Sequence, residues 1–216
     1  MKNTLFYLIG DGYLGRSIKN ILVKNGCTVI VQKKEDDLIM PETFRKYGMN
    51  PVVLYFAAPN KKEDLEKEDI SSKYLNILNY LIGFENVIYA NSEALFMLEK
   101  YNKYQMNYIN LNKQIGLKSN FINLYIPYIY NKKMRKTSSL YYKIKHKNYS
   151  IPEKDKDKKI RILRKDLFIL ETYYKIRNII NSYKKYGYFL NNKIERYDFI
   201  ELTLGEFERL VKNEII

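Results

Sequence analysis

The chain predicts an α/β sandwich of three layers around a parallel sheet, followed by a small C-terminal lobe. Three observations lead there. Short apolar runs at residues 6–9, 27–31, 52–57, 86–90 and 121–126 alternate with segments of helical spacing. The runs at 52–57 and 87–89 are continuous, as in strands covered on both faces, so these two are expected to be central and buried. The connections are short, and strands that alternate with helices in this way pair in parallel through right-handed crossovers.

Taken in order, residues 6–9 form a first strand, and Leu14, Ile18, Ile21 and Leu22 mark a helix closed by Gly26. Residues 27–31, rich in β-branched side chains, form a second strand. Residues 33–50 are short for a helix–strand–helix insertion, so one sheet element is expected to be abbreviated there. Pro51 introduces the strand at 52–57. Helical spacing follows over 63–82, then a strand at 86–90, a helical segment over 94–117 and a strand at 121–126 stopped by Pro127. Beyond Pro127 the alternation breaks down. A helix is expected at 138–147, a polar loop at 148–158, an amphipathic helix at 167–183, a strand at 186–190 and a last helix at 204–211. The division implied is 1–131 for the sheet domain and 132–216 for a lobe packed on it and partly contributing to the sheet.

The first strand runs into Gly10-Asp11-Gly12-Tyr13-Leu14-Gly15, and a helix follows at once. A strand, a Gly-x-Gly-x-x-Gly turn and a helix form the opening of a dinucleotide-binding unit of the Rossmann type. Gly10 makes the tight turn, Gly12 admits a pyrophosphate without a Cβ in the way, and Gly15 brings helix and strand together. The helix N-terminus then faces the anion. Cofactor choice is read at the end of the second strand, where NAD-preferring domains place an acid for the ribose 2′-hydroxyl. Here Val31 is followed by Gln32, Lys33 and Lys34, and no carboxylate arrives before Glu35. That pattern suits a 2′-phosphate, so NADP is favoured over NAD.

Composition narrows the classes. One cysteine, Cys27, rules out a disulfide within the chain and fits a buried core thiol in a reducing compartment. No run approaches the length of a membrane span, and the N-terminus reaches Asp11 too early for a signal peptide, so a cytoplasmic, soluble protein with no membrane partner is expected. A single histidine, His146, has no second ligand to build a metal site, so no metal is expected. The net charge of +14 comes from lysines spread along the chain. The densest basic stretch, 154–164, is interrupted by Asp155 and Asp157. A nucleic-acid partner is therefore not expected, although a basic surface suits small polyanions such as nucleotides.

Four blocks, in this order, resemble the extended short-chain dehydrogenase/reductases, the NAD(P)-dependent epimerases and dehydratases that act on nucleotide sugars. They are LIGDGYLGRSI (8–18), VVLYFAAPN (52–60), VIYANSEALF (87–96) and FINLYIPYIYN (121–131). RILRKDLF and LTLGEFERLV resemble segments of the family's substrate lobe more weakly. The resemblance implies polysaccharide biosynthesis as the setting and a nucleotide-sugar substrate between the two regions. Ala57 and Ala58 match the Ala-Ala pair beside the cofactor. Ser92 matches the catalytic Ser/Thr, and Glu93 follows where the dehydratases carry an acid. Arg161 and Arg164 fall where the substrate's diphosphate is held. Members often pair through a helix bundle that would include residues 94–117, which makes a homodimer the form the resemblance suggests.

The departures bear on chemistry. The family's active site adds a Tyr and a Lys four residues after it, and no such pair follows Ser92. Helix length favours Tyr101 with Gln105, with Tyr104 and Tyr108 as alternatives. In the family the tyrosine moves the proton of a substrate hydroxyl while the nicotinamide takes or returns hydride. A free phenol ionises near pH 10, too high for a base at neutral pH. A lysine charge about 4–5 Å away, at an effective dielectric near 20, supplies about 3–4 kcal/mol, or roughly 2–3 pK units. Gln105 can hydrogen-bond a ribose but carries no such field. Two hypotheses stand: an NAD(P)-dependent epimerase, dehydratase or reductase with a degenerate Ser-Tyr-Lys site, and a non-catalytic dinucleotide-binding regulatory or scaffold protein on the same fold. Ser92 as a helix cap and Glu93 as a first-turn acid are the plain structural alternatives for those two residues.

Overall fold

Residue parity sorts the strand side chains onto two faces and so fixes the layers. In the protein's structure, a computed structural model, residues 1–33, 36–57, 70–92, 121–130, 140–186 and 194–213 are described. The strands β1 (Leu5–Ile9), β2 (Thr28–Gln32), β3 (Val52–Tyr55), β4 (Val87–Ser92) and β5 (Phe121–Ile126) join β8 (Ile194–Arg196) in one sheet of order β2-β1-β3-β4-β5-β8. Every neighbouring pair is parallel. Phe6, Leu8, Val52, Leu54, Ile88, Ile122 and Leu124 point to one face. There they meet Ile18 and Leu22 of α1 (Gly15–Lys24) and Phe168, Ile176 and Ile180 of the long helix α5 (Lys165–Tyr186). Tyr7, Ile9, Val53, Tyr55, Val87, Tyr89 and Phe121 point to the other. These meet Phe44 of α2 (Pro41–Lys46) and Leu78 and Leu81 of α3 (Ile70–Ile82).

The second face is aromatic. Tyr55 and Tyr89 stack with centroids 5.0 Å apart, and Tyr7 packs against Phe44 at 5.1 Å. Part of the chain's tyrosine content is thus core. Residues 52–55 and 87–89 are buried throughout, in the middle of the sheet, as their unbroken apolar runs predict. The expected abbreviation is also present. Between β2 and β3 the described chain holds only α2, six residues long, and β2 is the sheet edge.

Pro127 has no N–H to continue the ladder, and the chain changes sheets at that point. It resumes as β6 (Tyr128–Tyr130), which pairs in parallel with β7 (Lys159–Arg164), and β7 pairs antiparallel with β9 (Ile200–Thr203). Helices α4 (Leu140–Lys147) and α6 (Leu204–Lys212) cover this small sheet. Their shared core includes Tyr130, Tyr141, Ile144, Ile162, Phe207 and Val211. A capping box starts α6: Thr203 Oγ1 accepts the Glu206 N–H at 3.1 Å, and the Glu206 carboxylate accepts the Thr203 N–H at 2.7 Å.

Of the strand expected at 186–190 only Tyr186 is among the described residues, where it is the last residue of α5; a strand is described at Ile194–Arg196. The basic stretch ends in a strand, β7, whose alternate residues Ile160 and Ile162 face the small core. The helical segment 94–117 and the start of 63–82 lie outside the described residues. His146 is exposed on α4, its ring 4.7 Å from that of Tyr142. No helix among the described residues is long and apolar enough to cross a membrane.

Candidate functional site

Parallel strands put all their C-terminal ends on one edge, here Ile9, Gln32, Tyr55, Ser92 and Ile126. The chain leaves β1 for β2 on one side and returns to β3 on the other, so the crevice beyond β1 is the topological switch point. The glycine turn sits at that place.

The three glycines have different reasons to be there. Gly10 has φ +104°, and a Cβ on it would lie 2.5 Å from the Phe56 carbonyl carbon and 2.6 Å from the Ala57 nitrogen. A Cβ on Gly15 would lie 2.0 Å from the Gly10 oxygen. Both are demanded by the close approach of turn, helix and β3. Among the described residues nothing lies within 4 Å of a Cβ on Gly12, and its φ is not left-handed. No described residue requires that glycine, and open space of this kind is what a pyrophosphate needs. Helix α1 starts beside it with Leu14 at the N-cap, no side-chain cap and no acid in its first turn. An uncapped N-terminus with its dipole directed at open space accepts an anion.

The charges around the turn are arranged. Asp11 lies 3.4 Å from Lys19 Nζ and 3.7 Å from Arg16 Nε, so two cations of α1 gather on one carboxylate. Lys165, the first residue of α5, places its ammonium 3.6 Å from the centroid of the Tyr13 ring. This cation–π contact brings a third positive group to the turn. Sequence reasoning missed Arg16, Lys19 and Lys165. The first two carried a signal, their place in the first turns of the helix that follows Asp11; Lys165 carried none, because it reaches Tyr13 only through the packing of α5 on α1.

At the end of β2, Gln32 and Lys33 part company. The Gln32 side chain turns inward, where its Oε1 accepts the Tyr7 hydroxyl and its amide donates to the carbonyls of Lys33, Asp36 and Asp37 at 3.0, 2.9 and 3.1 Å. Lys33 is exposed. Burial, then the neighbouring Tyr7 hydroxyl, raises the Tyr80 phenol far above its ordinary range, so it stays protonated and donates to the Ile39 carbonyl at 2.6 Å.

Ala57 flanks Gly10, and Ser92 ends β4 in register with Ile126. Ala58, Glu93, Tyr101 and Gln105 lie outside the described residues. Arg161 belongs to the small sheet; it donates to Glu201 at 3.0 Å and its guanidinium lies 4.8 Å from the Phe199 centroid. Arg164 forks onto Asp166 at 2.6 and 2.7 Å, an ion pair that holds the Asp166 carboxyl below and the guanidinium above their usual ranges. The structure therefore brings the six turn residues and Ala57 together and sets Arg161 and Arg164 on a separate strand, each engaged with an acid.

No protein-family model matches the sequence, and no curated protein matches it. Solved structures do match. The chain is similar to CapF, a capsular polysaccharide assembling protein of Staphylococcus aureus, at 15% identity and a TM-score of 0.60, over 95% of this chain and 57% of that one. It is similar to a GDP-L-fucose synthetase from Naegleria fowleri at 11% identity and a TM-score of 0.67, over 100% of this chain and 78% of the other. A GDP-D-glycero-L-gluco-heptose synthase from Campylobacter jejuni, solved in the presence of NADPH, matches at 15% identity and a TM-score of 0.67, over 99% and 86%. The chain spans little more than half of CapF and about four fifths of the other two. At these identities the likeness is one of fold alone, and that fold is a Rossmann-type α/β sandwich.

Proposed function

We propose that the chain binds a nicotinamide dinucleotide at the glycine turn and acts on a nucleotide-activated sugar as an epimerase, dehydratase or reductase. The observation that carries the reading is Gly12, a glycine that no described residue requires, beside an uncapped helix N-terminus at the switch point. The sugar part of the reading is supported by the kinds of protein that share the fold, a GDP-L-fucose synthetase and a heptose synthase among them.

In this reading Gly10, Gly12 and Gly15 with Asp11, Tyr13 and Leu14 hold the pyrophosphate, and Ala57 and Ala58 border the nicotinamide half. Lys33 takes the 2′-phosphate, so NADPH binds more tightly than NADH. Ser92 and Tyr101 handle the substrate hydroxyl, Gln105 stands where the family has lysine, and Glu93, Arg161 and Arg164 face the substrate. When bound, the nicotinamide supplies hydride transfer; the chain's part is to orient the sugar and move one proton. Calorimetric titration with NADPH, NADH, and GDP-, UDP- and dTDP-sugars tests the binding. Heat from neither dinucleotide refutes the cofactor role, and equal or tighter NADH refutes the preference. Replacing Arg161 and Arg164 by Ala weakens sugar-nucleotide binding if they hold the diphosphate.

Gln105 in place of the lysine favours a second reading, a dinucleotide-binding regulatory or scaffold protein. Turnover separates the two. In the enzyme reading Gln105→Lys lowers the phenol pKa by about 2 units and moves the limb of the pH–rate profile that reports the tyrosine to lower pH accordingly, while Tyr101→Phe abolishes turnover and leaves cofactor affinity intact. In the scaffold reading no nucleotide sugar is turned over by the wild type.

A further inference from the structure

We propose that Tyr7, Gln32 and Tyr80 are positioning residues that fix the course of residues 36–39 after β2 and, through it, the choice between the two nicotinamide dinucleotides. The inference rests on the dinucleotide-binding reading above and concerns how that site discriminates.

At the end of β2 a side chain that reaches outward can touch the adenosine ribose directly. Gln32 does not reach outward. It is 9% exposed, and its amide nitrogen collects three backbone carbonyls, of Lys33, Asp36 and Asp37, within 3.1 Å. Its carbonyl oxygen is taken by the hydroxyl of Tyr7, itself fully buried on β1. The same Tyr7 oxygen accepts the Ile39 N–H at 3.3 Å, and Tyr80 on α3 donates to the Ile39 carbonyl at 2.6 Å with its hydroxyl 3.3 Å from that of Tyr7. Three side chains from three elements thus hold both ends of the loop.

This clamp has a consequence for the loop's outer side. In a trans peptide the carbonyl and the following N–H point in opposite directions. No described peptide here is cis. Drawing the Asp36 and Asp37 carbonyls onto Gln32 therefore turns the N–H groups of Asp37 and Leu38 away from the buried amide. Lys33, exposed at the start of the loop, adds a full positive charge. The carboxylates of Asp36 and Asp37 are exposed on the same loop and act against a phosphate. For residues 36–39 the clamp fixes which of these groups faces outward, and so bears on whether a 2′-phosphate is accepted or repelled. The position that carries the selecting acid in NAD-preferring domains is spent here on folding the loop. A carboxylate at that position would face three carbonyl oxygens.

The test uses changes that remove a hydroxyl without adding charge and that lie on the buried side of the loop. Tyr7→Phe, Tyr80→Phe and the double variant of the full chain are titrated calorimetrically with NADPH and with NADH. The expected result is a fall in the ratio of NADPH to NADH affinity, by about threefold in Tyr7→Phe and about tenfold in the double variant, against small changes in NADH affinity itself. A ratio that stays constant in all three while the melting temperature falls means the network only holds the fold, and overturns the proposal. If the wild type binds NADH and NADPH equally, the loop does not select and the proposal falls while dinucleotide binding stands. If the wild type binds neither, the dinucleotide reading falls and takes this inference with it.

Discussion

The two sheets of this protein differ in how evenly apolar burial covers their strands. In the six-stranded sheet, β3 and the greater part of β1 and β5 are buried on both faces, and their side chains divide by parity into two apolar cores. In the three-stranded sheet Tyr130 and Ile162 face the small core and Ile129 and Leu163 the large one, but β9 at the edge has no fully buried residue. Lys159 and Arg161 of β7 reach across to Glu201 of β9 at 2.9 and 3.0 Å, while Ile200 stands 57% exposed. Burial of apolar area stabilises the first at any ionic strength. The exposed pairs of the second are worth little and are screened by salt. The site belongs to the first sheet's C-terminal edge, where three paired strands end beside the turn.

The sharpest break in this contrast comes at the glycines. Gly15→Ala places a methyl 2.0 Å from the Gly10 oxygen, backbone against backbone, and is expected to cost more than about 3 kcal/mol or to prevent folding. Gly12→Ala meets no described residue, so its stability should stay within about 0.5 kcal/mol of wild type while dinucleotide affinity is lost. Urea unfolding beside calorimetric titration measures both, and a Gly12→Ala variant that binds normally would remove the pyrophosphate from that turn. Next in size is the core. Leu54→Ala in the central strand should cost about 2–5 kcal/mol, whereas Ile200→Ala on the exposed face of β9 should change stability by no more than about 0.5 kcal/mol. Equal effects would mean that the two sheets do not differ as described.

Glu208 sharpens the comparison within the small sheet's core. It is 7% exposed, accepts the Ile151 N–H at 3.2 Å and pairs with Lys212 at 2.5 Å. Burial acts to raise its pKa, but the Lys212 and Ile151 hydrogen bonds outweigh it and hold the carboxyl below its ordinary value. A carboxyl depressed in the folded state stabilises above the unfolded value, near pH 4.3, and loses that contribution as pH falls through the folded one. Glu208→Gln is therefore expected to cost about 1–2 kcal/mol at pH 7 and to flatten the fall of stability below about pH 4. The smallest effect is expected at Glu201→Gln. Its carboxyl is held low by the Lys159 and Arg161 hydrogen bonds, yet it is solvated. The unfolding midpoints of variant and wild type should converge as salt is raised to about 1 M; a difference that persists there would mark this pair as more than a surface contact.

The sequence by itself determined the layers and the turn. Unbroken apolar runs at 52–55 and 87–89 declared central strands, the glycine spacing declared the turn, and the shortness of 33–50 declared a missing sheet element, because each of these depends on contacts close in sequence or on burial that leaves a compositional mark. The Thr203–Glu206 capping box is of the same kind, a local pattern of Thr and Glu three residues apart. The tertiary structure decided the rest. The strand β8 is short and polar at Glu195 and Arg196, and it exists because β5 offers it an edge. Lys165 meets Tyr13, and Tyr7 meets Gln32 and Tyr80, through packing between elements far apart in the chain. Gln32 read as a residue at the cofactor's ribose, and only the fold turned it inward, since an amide costs less buried among three carbonyls and a hydroxyl than those groups would cost left unpaired.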